Sequence, residues 1–391
     1  MTPENPHPRR ESLLSVLLIV TIVLSAGVGV YGLAARSSPQ KTPEAPAGIT
    51  VGLKVSAYHP GQSQPYAVRN LPQDLVLNNF NNYLLTFMAP GQFQNQNFVN
   101  SAGTTGSKSA WHDSQIFDES SGCGASSGCG GIVAIGTSTT APARTDYGPG
   151  AILGTYTTVT SSTCSTGTTD SVVFSGSVAV SATATVTEAV GGVHTLDSAD
   201  QVGPYYFFHD TFTGIAVVSG DTVDVQYTVS LGSAGFNVNL CNYLAGLFSP
   251  ITSAAAVSVS LTDSAGTANT FYMWVPVDSS GCALSTSSTT CSGPAQSPVM
   301  GIGTGTTAYT PTTHWLTTAV ATTTTLDEYS YVSGTTSYIY LGAGFTGASG
   351  DSITEAVQGL VLSSNDYLFF GSTFTAQSAG SSFGITMDIS D

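Results

Sequence analysis

Apolar and polar residues alternate along much of the chain beyond residue 48. Ile49 to Tyr58, Val172 to Val186, Tyr205 to Phe212 and Val223 to Leu231 carry β-branched and aromatic residues in this pattern. Ser337 to Leu341, Asp366 to Phe374 and Phe383 to Ile389 repeat it later. A period of two sends alternate side chains to opposite faces, so each stretch predicts a strand with one buried face. Val257 to Leu261 and Phe271 to Val277 flank Thr-Asp-Ser-Ala-Gly and predict a hairpin. Two stretches switch to helical spacing. Val76, Phe80, Tyr83, Leu84 and Phe87 form one, and Leu240, Tyr243, Leu244 and Leu247 the other. Pro72 stands near the start of the first, and Pro90 and Pro250 mark where each ends. Each is about three turns long and predicts a cap on the end of a sandwich. Many short strands with few long helices predict an all-β fold, a β-sandwich or jelly roll.

The pattern is written twice. Ile135-Gly-Thr-Ser-Thr-Thr-Ala141 returns as Ile302-Gly-Thr-Gly-Thr-Thr-Ala308, and Val186-Thr-Glu-Ala-Val190 returns as Ile353-Thr-Glu-Ala-Val357, both 167 positions on. Phe207-Phe-His-Asp-Thr-Phe212 returns as Phe369-Phe-Gly-Ser-Thr-Phe374 after 162, and Asn82-Tyr-Leu84 as Asn242-Tyr-Leu244 after 160. Four matches in one order predict a duplicated domain with loop insertions, not a solenoid. The domains expected are 49–235 and 236–391. Ile49 to Tyr58 has no counterpart before the second copy. It can close its own domain or insert into a neighbouring subunit by strand addition.

The N-terminal residues change the setting. Leu13 to Ala35 is an uncharged apolar run, long enough to cross a hydrocarbon core of about 30 Å. Arg9 and Arg10 precede it, which predicts a cytoplasmic segment 1–12, a transmembrane helix or signal anchor at 13–35, and everything after Arg36 outside. A signal peptide ending at Leu33-Ala34-Ala35 is the alternative, but such cores are shorter. Arg9-Arg10-Glu11-Ser12 is only a loose match to a pilin-type leader. Residues 36–48, with Pro39, Pro43 and Pro46, predict an extended stalk of about 3 Å per residue.

Charge narrows the partners. Only 8% of residues are charged, against roughly 25% in ordinary domains. The net charge is −16, and no Lys or Arg follows Arg144. Thr145 to Asp391 therefore cannot neutralise phosphates, which excludes nucleic acid as a partner there. Unpaired carboxylates at neutral pH fit an acidic setting or weakly held Ca²⁺; no other cofactor and no metal site is expected. Partners expected are the membrane, through residues 13–35, and copies of this chain or other surface proteins.

Six cysteines lie beyond the apolar run, in what is expected to be an oxidising space. Cys123 and Cys129 precede the first Ile-Gly-Thr, and Cys282 and Cys291 the second. This equivalent placement predicts two local disulfides and leaves Cys164 and Cys241 for each other, one of fifteen formal connectivities. The spacings are not those of zinc modules.

Catalytic constellations are sparse, and no enzyme is expected. Gly350-Asp351-Ser352 resembles the nucleophile block of a lipase-like hydrolase family, but its place before the Thr-Glu-Ala strand reads as a turn. His209 and Asp210 could recruit a Ser into a triad. The second copy has Gly371 and Ser372 there, and strand neighbours point to opposite faces. Glu188 and Glu355 are the acidic residues kept by both copies in the best-matched segments. They read as acceptors of backbone N–H groups at a strand end, holding the Thr-rich turn; a metal or sugar site in each domain is the other reading. One Glu per domain is a poor way to bring two catalytic carboxylates within about 10 Å. Tyr205-Tyr-Phe-Phe208 and Tyr367-Leu-Phe-Phe370 read as core strands before sugar platforms. Thr-rich runs at 159–169 and 317–325 could carry O-linked sugars, and there is no Asn-x-Ser/Thr sequon.

The order Ile-Gly-Thr-x-Thr-Thr-Ala-Pro, Thr-Glu-Ala, Phe-Phe-x-x-Thr-Phe, then Gly220-Asp-Thr-Val-Asp-Val-Gln-Tyr-Thr-Val229, resembles small β-domains of phage and archaeal-virus surface proteins. Those are spike, tail-fibre or decoration components. The second copy departs from the pattern, with Tyr309 in place of Pro142 and no Gly-Asp step. The resemblance implies an assembly or receptor-contact role without catalytic residues. The expected function is a membrane-anchored structural protein of a cell or virion surface. The alternatives are an adhesin or carbohydrate-binding protein on the same scaffold and, further behind, a secreted hydrolase.

Overall fold

Val223, Val225, Tyr227, Val229 and Leu231 occupy every second position of one strand, and all five are fully buried. The residues between them are half-exposed, as a strand with one face on a core requires. Each such buried side chain contributes about 1.5–3 kcal/mol. The computed structural model describes residues 47–88, 96–108, 129–167, 169–195, 203–232, 235–251, 257–273, 284–286, 296–333, 336–346 and 348–390. Pro46–Asp391 is one compact unit and is mostly β-sheet, with two short helices among the described residues.

The first half holds strands β1 (Ala47–Tyr58), β2 (Ala67–Leu71), β3 (Cys129–Gly136), β4 (Ser161–Ser165), β5 (Asp170–Ala179), β6 (Ala184–Thr195), β7 (Gly203–Val217) and β8 (Thr222–Leu231), with helix α1 (Asn78–Met88). One sheet runs β4-β5-β8-β1, with β2 on the far side of β1. The other contains β3-β6-β7. The two face each other: the space above Gly191 on β6 is filled by the Tyr227 ring of β8, and that above Gly176 on β5 by Val133 of β3. A side chain at either glycine would force these layers apart.

The second half follows the same order after helix α2 (Val238–Leu247). Its strands are β9 (Gln296–Gly303), β10 (Leu326–Ser333), β11 (Thr336–Thr346), β12 (Ser352–Leu362), β13 (Asn365–Ser378) and β14 (Ser382–Ser390). They pair as β9-β12-β13 and β10-β11-β14, as β3-β6-β7 and β4-β5-β8 do. The register shifts also recur, at Val186/Glu188 and Gly191/Gly192 on β6 and at Ile353/Glu355 and Gln358/Gly359 on β12.

The expected hairpin is present as Val257–Thr262 paired with Ala268–Met273. The stretch from Val172 to Val186 is two strands, because the backbone of Val180 is taken by a turn. Val180 N–H donates to Asp221 O, and Gly220 N–H donates to Val180 O, at 2.9 Å each. β1 begins at Ala47 and lies on β8 over ten residue pairs, so it closes its own half. Its start also pairs in parallel with the end of β14, at Ala47–Ile389 and Gly48–Ser390. One sheet therefore crosses from half to half.

The helices pack both on strands and on each other. Phe80, Tyr83, Leu84 and Phe87 of α1 and Leu240, Tyr243, Leu244 and Leu247 of α2 are all buried, and the two helices meet. The Tyr83 and Tyr243 hydroxyls share a 2.6 Å hydrogen bond, and Phe87 stacks on Tyr243 at 3.8 Å between ring centroids. Aromatic side chains at helical spacing on both helices give each a partner better than water. Asn79 and Asn239 stitch each helix to its sheet alike. Asn79 exchanges bonds with the Val99 backbone and donates to Tyr206 O; Asn239 does so with Thr262 and Leu368.

Cys164 on β4 and Cys241 on α2 form a disulfide, which ties the halves across 77 residues. The expected pairs Cys123–Cys129 and Cys282–Cys291 rest on residues outside those described, as does the apolar run 13–35. Among the described residues no helix is long and apolar enough to cross a membrane. Replacing both Cys164 and Cys241 by Ser is expected to cost about 2–4 kcal/mol, by lengthening the open unfolded chain. Chemical denaturation of the two proteins under oxidising conditions measures it.

Candidate functional site

The repeated Thr-Glu-Ala stretch places one buried carboxylate in each half. On β6 the register shift turns Thr187 and Glu188 together toward the loop that follows β3. Glu188 is fully buried. Its Oε1 accepts the N–H groups of Ser138 and Ala151, and its Oε2 that of Gly150, each at 2.9 Å. Thr187 Oγ1 donates to Ser138 O at 2.7 Å. Both ends of the loop are thus fastened to adjacent side chains of one strand. Gly136 is required beneath them, since a Cβ there would collide with Glu188 Oε1.

Glu355 on β12 repeats this. Its Oε1 accepts from Gly305 and Thr318 N–H at 2.9 Å, and its Oε2 from Thr317 N–H at 3.0 Å. Thr354 Oγ1 donates to Gly305 O at 2.7 Å. Every partner stands 167 positions after its counterpart in the first half. The role expected of Glu188 and Glu355, accepting backbone N–H groups to hold the Thr-rich turn, is the geometry found.

The fourth donor differs between the halves. In the first it is His209 on β7, whose Nε2 lies 3.2 Å from Glu188 Oε2. Its Nδ1 lies 3.0 Å from Asp146 Oδ2, on the latched loop. In the second half the residue equivalent to His209 is Gly371, and a side chain there would collide with the Tyr309 ring. Tyr309 comes from the loop itself, and its hydroxyl donates to Glu355 Oε2 at 3.1 Å. The pair Pro142 and His209 has become Tyr309 and Gly371: one ring fills the same place from the opposite wall. Asp146 and Tyr309 were not singled out as site residues by their motifs. The linked changes at 142/309 and 209/371 are the signal that could have found Tyr309.

Burial alone would raise the pKa of Glu188, but the hydrogen bond from His209 and the three backbone N–H groups outweigh it and hold the pKa below the usual range. Burial, then the charge of Glu355, raises that of the Tyr309 phenol, keeping it a neutral donor. All accepting directions of both carboxylates are therefore occupied, and neither side chain has an open site for a reacting atom. Among the described residues no group of three His, Cys, Asp or Glu side chains could hold a metal ion.

The remaining candidates do not come together. His209 and Asp210 face opposite sides of β7. Asp210 lies near Asp74, and burial raises the pKa of both, with the charge of Asp210 adding to the shift at Asp74. Both nitrogens of His209 are engaged, so no serine joins it. Gly350-Asp351-Ser352 is a turn, with Gly350 at φ 92°. Gly350 N–H donates to Ala379 O at 3.1 Å, and Ala379 N–H donates to Asp351 O at 2.9 Å. Gly220 and Asp221 make the same bonds with Val180. The Gly-Asp step missing from its aligned place is supplied by the facing turn. Tyr205 to Phe208 and Tyr367 to Phe370 are buried core. Comparison with protein-family models, curated proteins and solved structures finds no match.

Glu188→Gln is expected to destabilise the protein by about 2–4 kcal/mol, because the amide N–H₂ faces other donors. Since the folded pKa of Glu188 is lowered, its contribution is present above the unfolded value of about 4.3 and fades as pH falls through the folded one. Thermal melts from pH 7 to 3 should show the gap between wild type and variant closing in acid. Pro142→Tyr and His209→Gly are each expected to destabilise, while the double variant regains at least half of the summed loss. A denaturation cycle on the four proteins checks it.

Proposed function

We propose that the chain is a structural protein of an extracellular or virion surface, held to a membrane by residues 13–35. In this reading, residues 49–235 and 236–391 descend from one duplicated β-sandwich that assembles with copies of itself. The observation that carries it is the carboxylate latch, built twice from equivalent residues with its hydrogen-bonding capacity directed to backbone N–H groups. Such a group fixes a loop and does no chemistry. The reading is supported by the apolar run behind two arginines, the Pro-rich stalk, the inter-half disulfide and the motif-level likeness to phage and archaeal-virus surface domains. An adhesin on the same scaffold is the second reading. It is favoured by Tyr147 and Ile152 at the latched loop, which are 45% and 47% exposed.

Electron cryomicroscopy of membranes or particles carrying the full chain is expected to show regularly spaced projections or filaments. Isolated monomers that bind a defined glycan on an array would replace this reading with the second.

A further inference from the structure

β8 and β14 are equivalent strands, but their outer edges are treated differently. The outer edge of β8 is covered by β1 over ten residue pairs, and its inward stripe is fully buried. β14 has β11 on one side, from Ser382 to Ser390. On its other side, among the described residues, it meets β1 only through Ile389 and Ser390. Among the described residues, the backbone edge from Ser382 to Asp388 has no strand on it. Its inward stripe shows the consequence, because Phe383, Ile385 and Met387 are only half-buried.

We infer that this edge of β14 pairs with β14 of a second copy, antiparallel about a two-fold axis near Ile385. The inference rests on the assembly reading above and names the surface that performs it. The first half specifies what such an edge takes: a proline-free strand with apolar residues at alternate positions, as β1 supplies with Ile49, Val51, Leu53 and Val55. β14 meets that description itself. The segment leading into Ala47 does not, since Pro39, Pro43 and Pro46 donate no N–H to a ladder. Open edges are ordinarily protected by lysine, proline or inward charge. β14 has no lysine, arginine or proline, and Asp388 is its one charged residue. In the proposed register Phe383 lies opposite Met387 of the second copy and Gly384 opposite Thr386. Asp388 lies opposite Ser382. Even-numbered residues remain on the outer face in both strands, and the two apolar stripes join on the inner one.

The test uses the full chain in membranes. Thr386 is exposed on the outer face, and its diagonal neighbour across the axis would be about 7–8 Å away. Thr386→Cys is expected to be captured as a dimer by a thiol cross-linker of that span. Ser260→Cys, exposed on the hairpin of the second half, is expected to stay monomeric. Gly384→Lys, where an added Cβ would meet Ala343 O at an ordinary van der Waals distance of 4.0 Å, is expected to lose the dimer in sedimentation of detergent-solubilised protein while keeping the wild-type melting temperature. Regular projections that persist in microscopy with no cross-link at Thr386, or with Gly384→Lys still dimeric, would overturn the β14 pairing and leave the assembly reading standing. Absence of both projections and cross-link would overturn both.

Discussion

A buried carboxylate held by three backbone N–H groups is the constraint around which each half is arranged. Beyond Arg144 the chain offers no lysine or arginine. A buried carboxylate there finds no Lys or Arg nearby in sequence, and hydrogen-bond donors must satisfy it. Glu188 and Glu355 each collect three backbone N–H groups from both ends of one loop, so neutralising the charge and closing the loop are one event. The bulge on β6 and β12, the adjacent threonine and the glycines beneath the carboxylate all follow from fitting those donors around one side chain.

The fourth donor shows how tightly the space is defined. His209 reaches the carboxylate from a strand and Tyr309 from the loop, and each leaves a Pro or a Gly where the other would stand. The first half thereby gains a histidine between two carboxylates, and the second a neutral phenol. The latch tolerates either, because what it needs is one hydrogen-bond donor and a filled volume.

The halves part company at their sheet edges. Among the described residues, the first receives β1 and β2 from the preceding chain, and the second the first two residues of β1. Arg69 on β2 donates to Thr213 O and Gly214 O along the edge of β7, which covers it further. Two similarly ordered sets of strands thus end differently: among the described residues β8 is flanked on both sides along its length, and β14 on one side.

Alternation determined the strands, because a side-chain period of two is a local property, and the spacing of Phe80, Tyr83, Leu84 and Phe87 determined a helix for the same reason. The second Thr-Glu-Ala marked Glu355 as the partner of Glu188 without coordinates. Pairing across long separations was decided only in three dimensions. The helices pack on one another as well as on the sheets, since Tyr83 finds its partner 160 residues away. The strand expected from Val172 to Val186 is broken by the distant Gly220-Asp221 turn. Tyr309 became legible as a substitute for His209 only when both rings were seen to fill the same space. Burial and donor geometry are properties of the folded whole, and no local window of residues contains them.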